Sequence, residues 1–226
     1  MIFLNISGLL YTILICFCFF LKKKIKSREN TIYGYLIIVT ILESVTGIAS
    51  YLCLKGNALS IINVLIGKIY LISMISWTAL FTVYVICISK KLAENKKNKF
   101  SKTILVLNLI FSFIILFSSL KFKTLETGGL YSYGIGVYAS YLISTVYIIV
   151  MVISAFSNLK NFSKKYIPLW LFIIFGTVVM IIQMFVPELF LIVPFEFFIT
   201  SIMYHTIENP DMKMVEALQK AKDEAD

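Results

Sequence analysis

Much of the equipment of a soluble enzyme is missing from this chain. Histidine occurs once, at His205, and arginine once, at Arg28; the other twenty basic residues are lysines. Charged residues make up only 15% of the 226 positions, against roughly 25% in an ordinary globular domain. No GxSxG, HExxH, glycine-rich phosphate loop or paired-acid motif occurs, so the chain is read as carrying no catalytic centre of its own. The four cysteines, Cys16, Cys18, Cys53 and Cys87, form no CxxC and have no Cys/His ligand spacing. They are read as small apolar side chains in hydrophobic runs, with no metal and no cofactor expected. A basic n-region ahead of the first apolar run is also lacking, which argues against a cleavable signal peptide. The seventh apolar stretch holds no lysine, so a retinal-type pigment has no attachment point.

What fills the chain is apolar. Residues of the hydrophobic set account for 59% of it, and the mean hydropathy is +0.90. A monomer in water cannot expose that much apolar surface, so the bilayer is the expected solvent and partner. Runs of about 20 apolar residues, the length that spans the hydrocarbon as a helix, recur seven times. They cover roughly residues 2–21, 32–54, 59–89, 103–120, 134–157, 166–186 and 189–205. The expected fold class is all-α, a multi-pass bundle of seven transmembrane helices in residues 1–207. Pro187–Glu188 is the only turn signal between the last two spans.

The lysines set a direction. The loops after spans one, three and five hold fourteen basic residues, among them Lys22, Lys23, Lys24, Lys96, Lys97 and Lys165; the alternate loops hold three, Lys55, Lys121 and Lys123. The positive-inside rule then puts the N-terminus outside the cell and the C-terminus in the cytoplasm. The net charge of +9 is thereby assigned to anionic headgroups, with no nucleic acid as a partner. The longest external segment, residues 125–134, reads as glycine turns and leaves no ectodomain to capture a large ligand.

Within the spans a few polar residues stand out. Glu43, Lys68 and Glu196 are ionisable, and such groups inside a bilayer need an internal partner or water. At 1.5 Å per residue they lie roughly 16, 12 and 10 Å below the outer edge, so Lys68 matches either acid in depth. Asn63, Asn108 and Gln183 add hydrogen-bonding capacity. These residues are read either as a small polar sensing cavity open to the outside or as a structural pair that joins helices. Pro194, two residues before Glu196, is read either as a hinge in span seven or as a tolerated proline near its start.

The tail changes character. Asn209, Pro210 and Asp211 read as an N-cap, a helix-starting proline and a first-turn acid. The following residues are helix formers, with Val215, Leu218 and Ala225 on a heptad-like stripe broken by Lys222. Seven spans followed by HTIENPDMKMVEALQKAKDEAD, His205 to Asp226, resemble the N-terminal membrane region of bacterial sensor histidine kinases. The resemblance implies that residues 208–226 are a juxtamembrane linker helix leading to an output domain absent from this chain. It also implies a homodimer through that cytoplasmic helix, with the kinase supplied in cis or in trans. The function so implied is the input module of a two-component system in the cell membrane. Pro194, Asn209, Pro210 and Asp211 would be its signal relay. A small transporter or channel using the same polar residues, and a scaffold in which they only associate helices, are the rival readings.

Overall fold

The computed structural model describes residues 2–21, 27–56, 61–89, 92–124, 130–157, 164–186, 191–207, 218, 221–222 and 224. Seven long helices follow one another: α1 (Ile2–Leu21), α2 (Arg28–Gly56), α3 (Ile61–Ile88), α4 (Glu94–Phe117), α5 (Ile135–Ser157), α6 (Ile167–Phe185) and α7 (Ile192–Ile207). The first five are long and apolar enough to cross a membrane; α6 and α7 offer shorter apolar stretches. At 1.5 Å per residue the 16 residues of α7 reach about 24 Å, short of the ~30 Å hydrocarbon core.

The all-α expectation needs one correction. Between α4 and α5 the chain forms an antiparallel hairpin of β1 (Lys121–Thr124) and β2 (Leu130–Tyr133). Lys121 pairs with Tyr133 and Lys123 with Tyr131, so the two lysines and two tyrosines share one face. Phe122 turns to the other face and packs towards Gly67 of α3. Four-residue strands are too short for their alternation to stand out against the turn residues beside them. Gly134 then joins β2 to α5 at φ +127°, where a side chain would stand 2.7 Å from the Ser119 carbonyl oxygen. Gly134→Val is expected to destabilise the protein by about 1–3 kcal/mol, read as a lower midpoint of thermal unfolding in nanodiscs.

Two helices start earlier than hydropathy suggested. Ser27 caps α2: its hydroxyl accepts the Asn30 N–H at 3.1 Å and its carbonyl accepts the Thr31 N–H at 3.1 Å. Lys96, Lys97, Lys99 and Lys102, expected in a loop, lie on the first turns of α4. Lysine is a good helix former, so the helix continues past the edge of the apolar run where a hydropathy count stops.

Helix ends gather in two sets. At one end Lys165 Nζ pairs with Glu29 Oε2 at 3.1 Å, and Arg28 pairs with Glu94 at 3.7 Å and with the Asn98 side chain. Lys97 Nζ donates to the Cys87 carbonyl at 3.1 Å, and the Tyr166 hydroxyl donates to the Ile88 carbonyl, also at 3.1 Å. The starts of α2 and α4, the end of α3 and the approach to α6 therefore share the lysine-rich end. The start of α3, the end of α4 and the hairpin share the other.

The helix α3 is the axis of the bundle, packed on α2, α4 and α5, while α7 packs on α1, α2 and α6. A helix apolar on every side belongs in a core, and α3 buries Trp77, Phe81, Tyr84 and Ile75 almost completely. Gly8 of α1 lets α7 approach closely, since a Cβ there would meet the Phe197 ring at 2.7 Å. The outward faces of α4 and α5 display Leu109, Phe113, Leu142 and Ile149, the surface expected of helices facing lipid.

Candidate functional site

The middle of the bundle, where α2, α3 and α7 meet, holds a polar centre in apolar surroundings. The Trp77 indole N–H donates to Thr40 Oγ1 at 3.0 Å and lies 3.3 Å from Thr200 Oγ1. These two hydroxyls are 3.2 Å apart, and each also reaches back to its own helix: Thr40 to the Leu36 carbonyl and Thr200 to the Glu196 carbonyl, both at 2.8 Å. The Tyr33 hydroxyl donates to the Thr200 carbonyl at 2.9 Å. All four side chains are almost wholly buried. One indole thus ties α2 and α7 to the axial helix, and its ring packs on Phe81 and Phe172 at 5.2 and 5.5 Å.

One turn from this network lie the two acids singled out from sequence. Glu43 of α2 and Glu196 of α7 are 1% and 3% exposed, and their carboxyl groups face each other. Neither oxygen of Glu43, nor Oε2 of Glu196, has a hydrogen-bond partner of ordinary geometry. Tyr70, whose ring lies against Gly47, is close to both acids and to Tyr141. Glu43 is fifteen residues from Arg28, about 22 Å along the helix from the lysine-rich end.

Beside Glu196 opens a cavity of about 50 Å³, walled by α3, α5, α6 and α7. Its lining includes Thr78, Tyr141, Ser144, Phe172, Phe195 and Glu196. The rings of Phe172 and Phe195 stack at 5.7 Å and 26°. Thr78 donates to the Met74 carbonyl at 2.8 Å, and its oxygen lies 3.4 Å from Ser144 Oγ. The cavity's accessible walls are almost wholly apolar, so it is suited to a small apolar group rather than to ordered water.

Lys68 does not join the acids. Its Nζ donates to the Leu116 carbonyl at 2.7 Å and so meets the C-terminal turn of α4, where a cation is favourable. The ion pair suggested by matching depth is replaced by this cap, because the side chain leaves α3 on the side facing α4. Lys68→Met is therefore expected to cost no more than about 1 kcal/mol of stability, measured by thermal unfolding, and to leave the acid pair intact.

The other expected residues are scattered. Asn63 is buried near the start of α3. Asn108 donates from Nδ2 to Ser76 Oγ at 3.1 Å and joins α4 to α3. Gln183 Oε1 accepts the Leu191 N–H at 2.6 Å, bracing the approach to α7. Pro194 sits in the first turn of α7, one residue before the Phe195 N–H that makes the bond to the Leu191 carbonyl. A helix leaves its earliest N–H groups free, so proline here removes no bond and supplies no backbone cause for a hinge. Asn209, Pro210 and Asp211 lie outside the described residues.

Sequence reasoning missed Trp77, Thr40, Thr200, Tyr33 and the cavity walls. One signal was available: Trp77 lies deep in a span rather than at its edge, and a buried indole N–H needs a partner. Which hydroxyls would answer it depends on helix packing, which no single span encodes.

No family model, curated protein or solved structure matches the chain.

Proposed function

We propose that the chain is the membrane-embedded input module of a bacterial two-component sensor histidine kinase. In this reading the lysine-rich end faces the cytoplasm, the hairpin faces outward, and α7 carries the signal into residues 208–226. The observation that supports it best is the buried Glu43–Glu196 pair, which sets an unbalanced polar contact on the last helix before the tail. Thr200, one turn further along α7, shares the Trp77 indole with Thr40, so a shift at the acids is passed to the contact that anchors α7. Two packings of α7 against α2 and α3, biased from the cavity at one end and the tail at the other, form a two-state relay.

The test uses the full chain in nanodiscs, with the native cysteines replaced and Leu218→Cys introduced in the tail. Glu43→Gln with Glu196→Gln is expected to change the yield of tail-to-tail cross-links by several fold. Unchanged cross-linking, together with solute uptake by vesicles containing the protein, would instead assign it to transport.

A further inference from the structure

We propose that the outward face of α4 at the lysine-rich end binds an anionic phospholipid. Its phosphate would sit on Lys96, Lys99 and Lys102, and its acyl chains against the apolar residues that continue the same face. This goes beyond the sensor reading and does not depend on it.

The helix separates its two sides cleanly. The side turned to the bundle buries Ser101, Ile104, Asn108 and Ile115. Lys97 belongs to that side, half-buried, and is committed to the Cys87 carbonyl and to Glu94. Lys96, Lys99 and Lys102 are exposed, and among the described residues their ammonium groups meet no carboxylate or other acceptor. The nearby acids Glu29 and Glu94 are already paired with Lys165, Arg28 and Lys97.

Seven residues make nearly two turns of an α-helix, so Lys99 is in line with Val106 and Phe113, and Lys102 with Leu109 and Leu116. Lys96 is in line with Ile110 and Phe117 by the same count. All of these apolar residues are exposed. The three lysines therefore continue the side of α4 that faces lipid, and Phe100, exposed one turn from Lys96, carries apolar surface up among the charges. Along the axis the row covers about 9 Å, which flexible lysine stems can gather into one headgroup layer. Lysines three residues apart on a helix repel one another, and an anion seated among them removes that cost.

Charge also decides between the two occupants such a face could take. A second copy docked on α4 about a two-fold axis normal to the membrane would bring two lysine rows to the same level, where like charges repel. A phospholipid with a net negative headgroup matches both parts of the face, its anion on the lysines and its hydrocarbon on Val106, Leu109 and Phe113.

The test uses the full chain in phosphatidylcholine nanodiscs, with the native cysteines replaced and a fluorophore on Val106→Cys. Quenching by a small fraction of phosphatidylglycerol spin-labelled on its acyl chain is compared with quenching by the same fraction of spin-labelled phosphatidylcholine. A preference of at least about fivefold for phosphatidylglycerol is expected. It is expected to vanish in Lys96→Gln/Lys99→Gln/Lys102→Gln and to survive in Lys96→Arg/Lys99→Arg/Lys102→Arg, which keeps the charge and guards against a folding defect. The same fluorophore on Ile149→Cys, on the exposed side of α5, is expected to show less than about twofold preference. Equal quenching by the two lipids, or a preference unchanged in the glutamine variant, would overturn the proposal. An equal preference at Ile149 would overturn it too, as diffuse attraction to the net charge. Loss of the preference on adding soluble glycerol phosphate would replace the lipid by a water-soluble anion, and self-quenching between copies at Val106 would replace it by a dimer contact; either result overturns the proposal.

Discussion

Trp77→Ala is expected to destabilise the bundle by about 2–4 kcal/mol, measured by thermal unfolding or steric trapping in bicelles. The side chain is fully buried at the meeting point of α2, α3 and α7, where it packs on Phe81 and Phe172. Truncation would leave an indole-sized void in a close-packed centre. In water the lost transfer of the ring would add to that cost. In a bilayer the separated helices remain in an apolar solvent, so the cavity and the lost contacts dominate and the lower part of the range for tryptophan applies. Trp77→Phe separates the two contributions. It keeps most of the ring and deletes the N–H that Thr40 and Thr200 share, a loss worth about 1 kcal/mol. A phenylalanine variant as unstable as the alanine variant would show that the hydrogen bonds, not the ring, hold α7 in place.

Glu43→Leu combined with Glu196→Leu is expected to act in the opposite direction, stabilising the protein by about 1–4 kcal/mol. Each substitution keeps roughly the side-chain volume and removes a buried carboxyl, with both oxygens of Glu43 and Oε2 of Glu196 lacking a conventional partner. The single variants are expected to gain less, and their sum to miss the double variant's value, because the two groups touch. A thermodynamic cycle over the four proteins measures that coupling. A double variant less stable than the parent would mean that a shared proton or a bound ion repays the burial in full, and would remove the argument that the pair is kept for function.

Along the chain, legibility followed the range of the forces involved. The apolar runs were visible because a hydrocarbon solvent demands a helix from any segment that enters it, whatever its neighbours do. Helix ends were less so: Ser27 at the start of α2 and the lysines on the first turns of α4 obey capping and propensity, which hydropathy does not measure. The hairpin from Lys121 to Tyr133 escaped because each strand has four residues, and their pairing becomes visible only once α4 and α5 bring them together.

The polar centre divides in the same way. Glu43 and Glu196 announced themselves by their chemistry, since a carboxyl in an apolar run is anomalous in any packing. Their partner did not. Depth alone made Lys68 equivalent to an ion-pairing residue, and only its azimuth on α3 sends it to Leu116 instead. Thr40, Thr200 and Ser144 are ordinary hydroxyls in sequence, whose own helix carbonyls can satisfy them, so nothing local marks them as a network. The amino-acid sequence by itself determined the helical segments, the sign of charge at their ends and the acids in their interior, because each follows from the solvent around one segment. The tertiary structure alone decided that the two acids meet, that Lys68 turns away from them to Leu116, and that an aromatic-walled cavity opens at Glu196. Those facts depend on the rotation and approach of α2, α3, α5, α6 and α7 relative to one another, and no single helix contains that information.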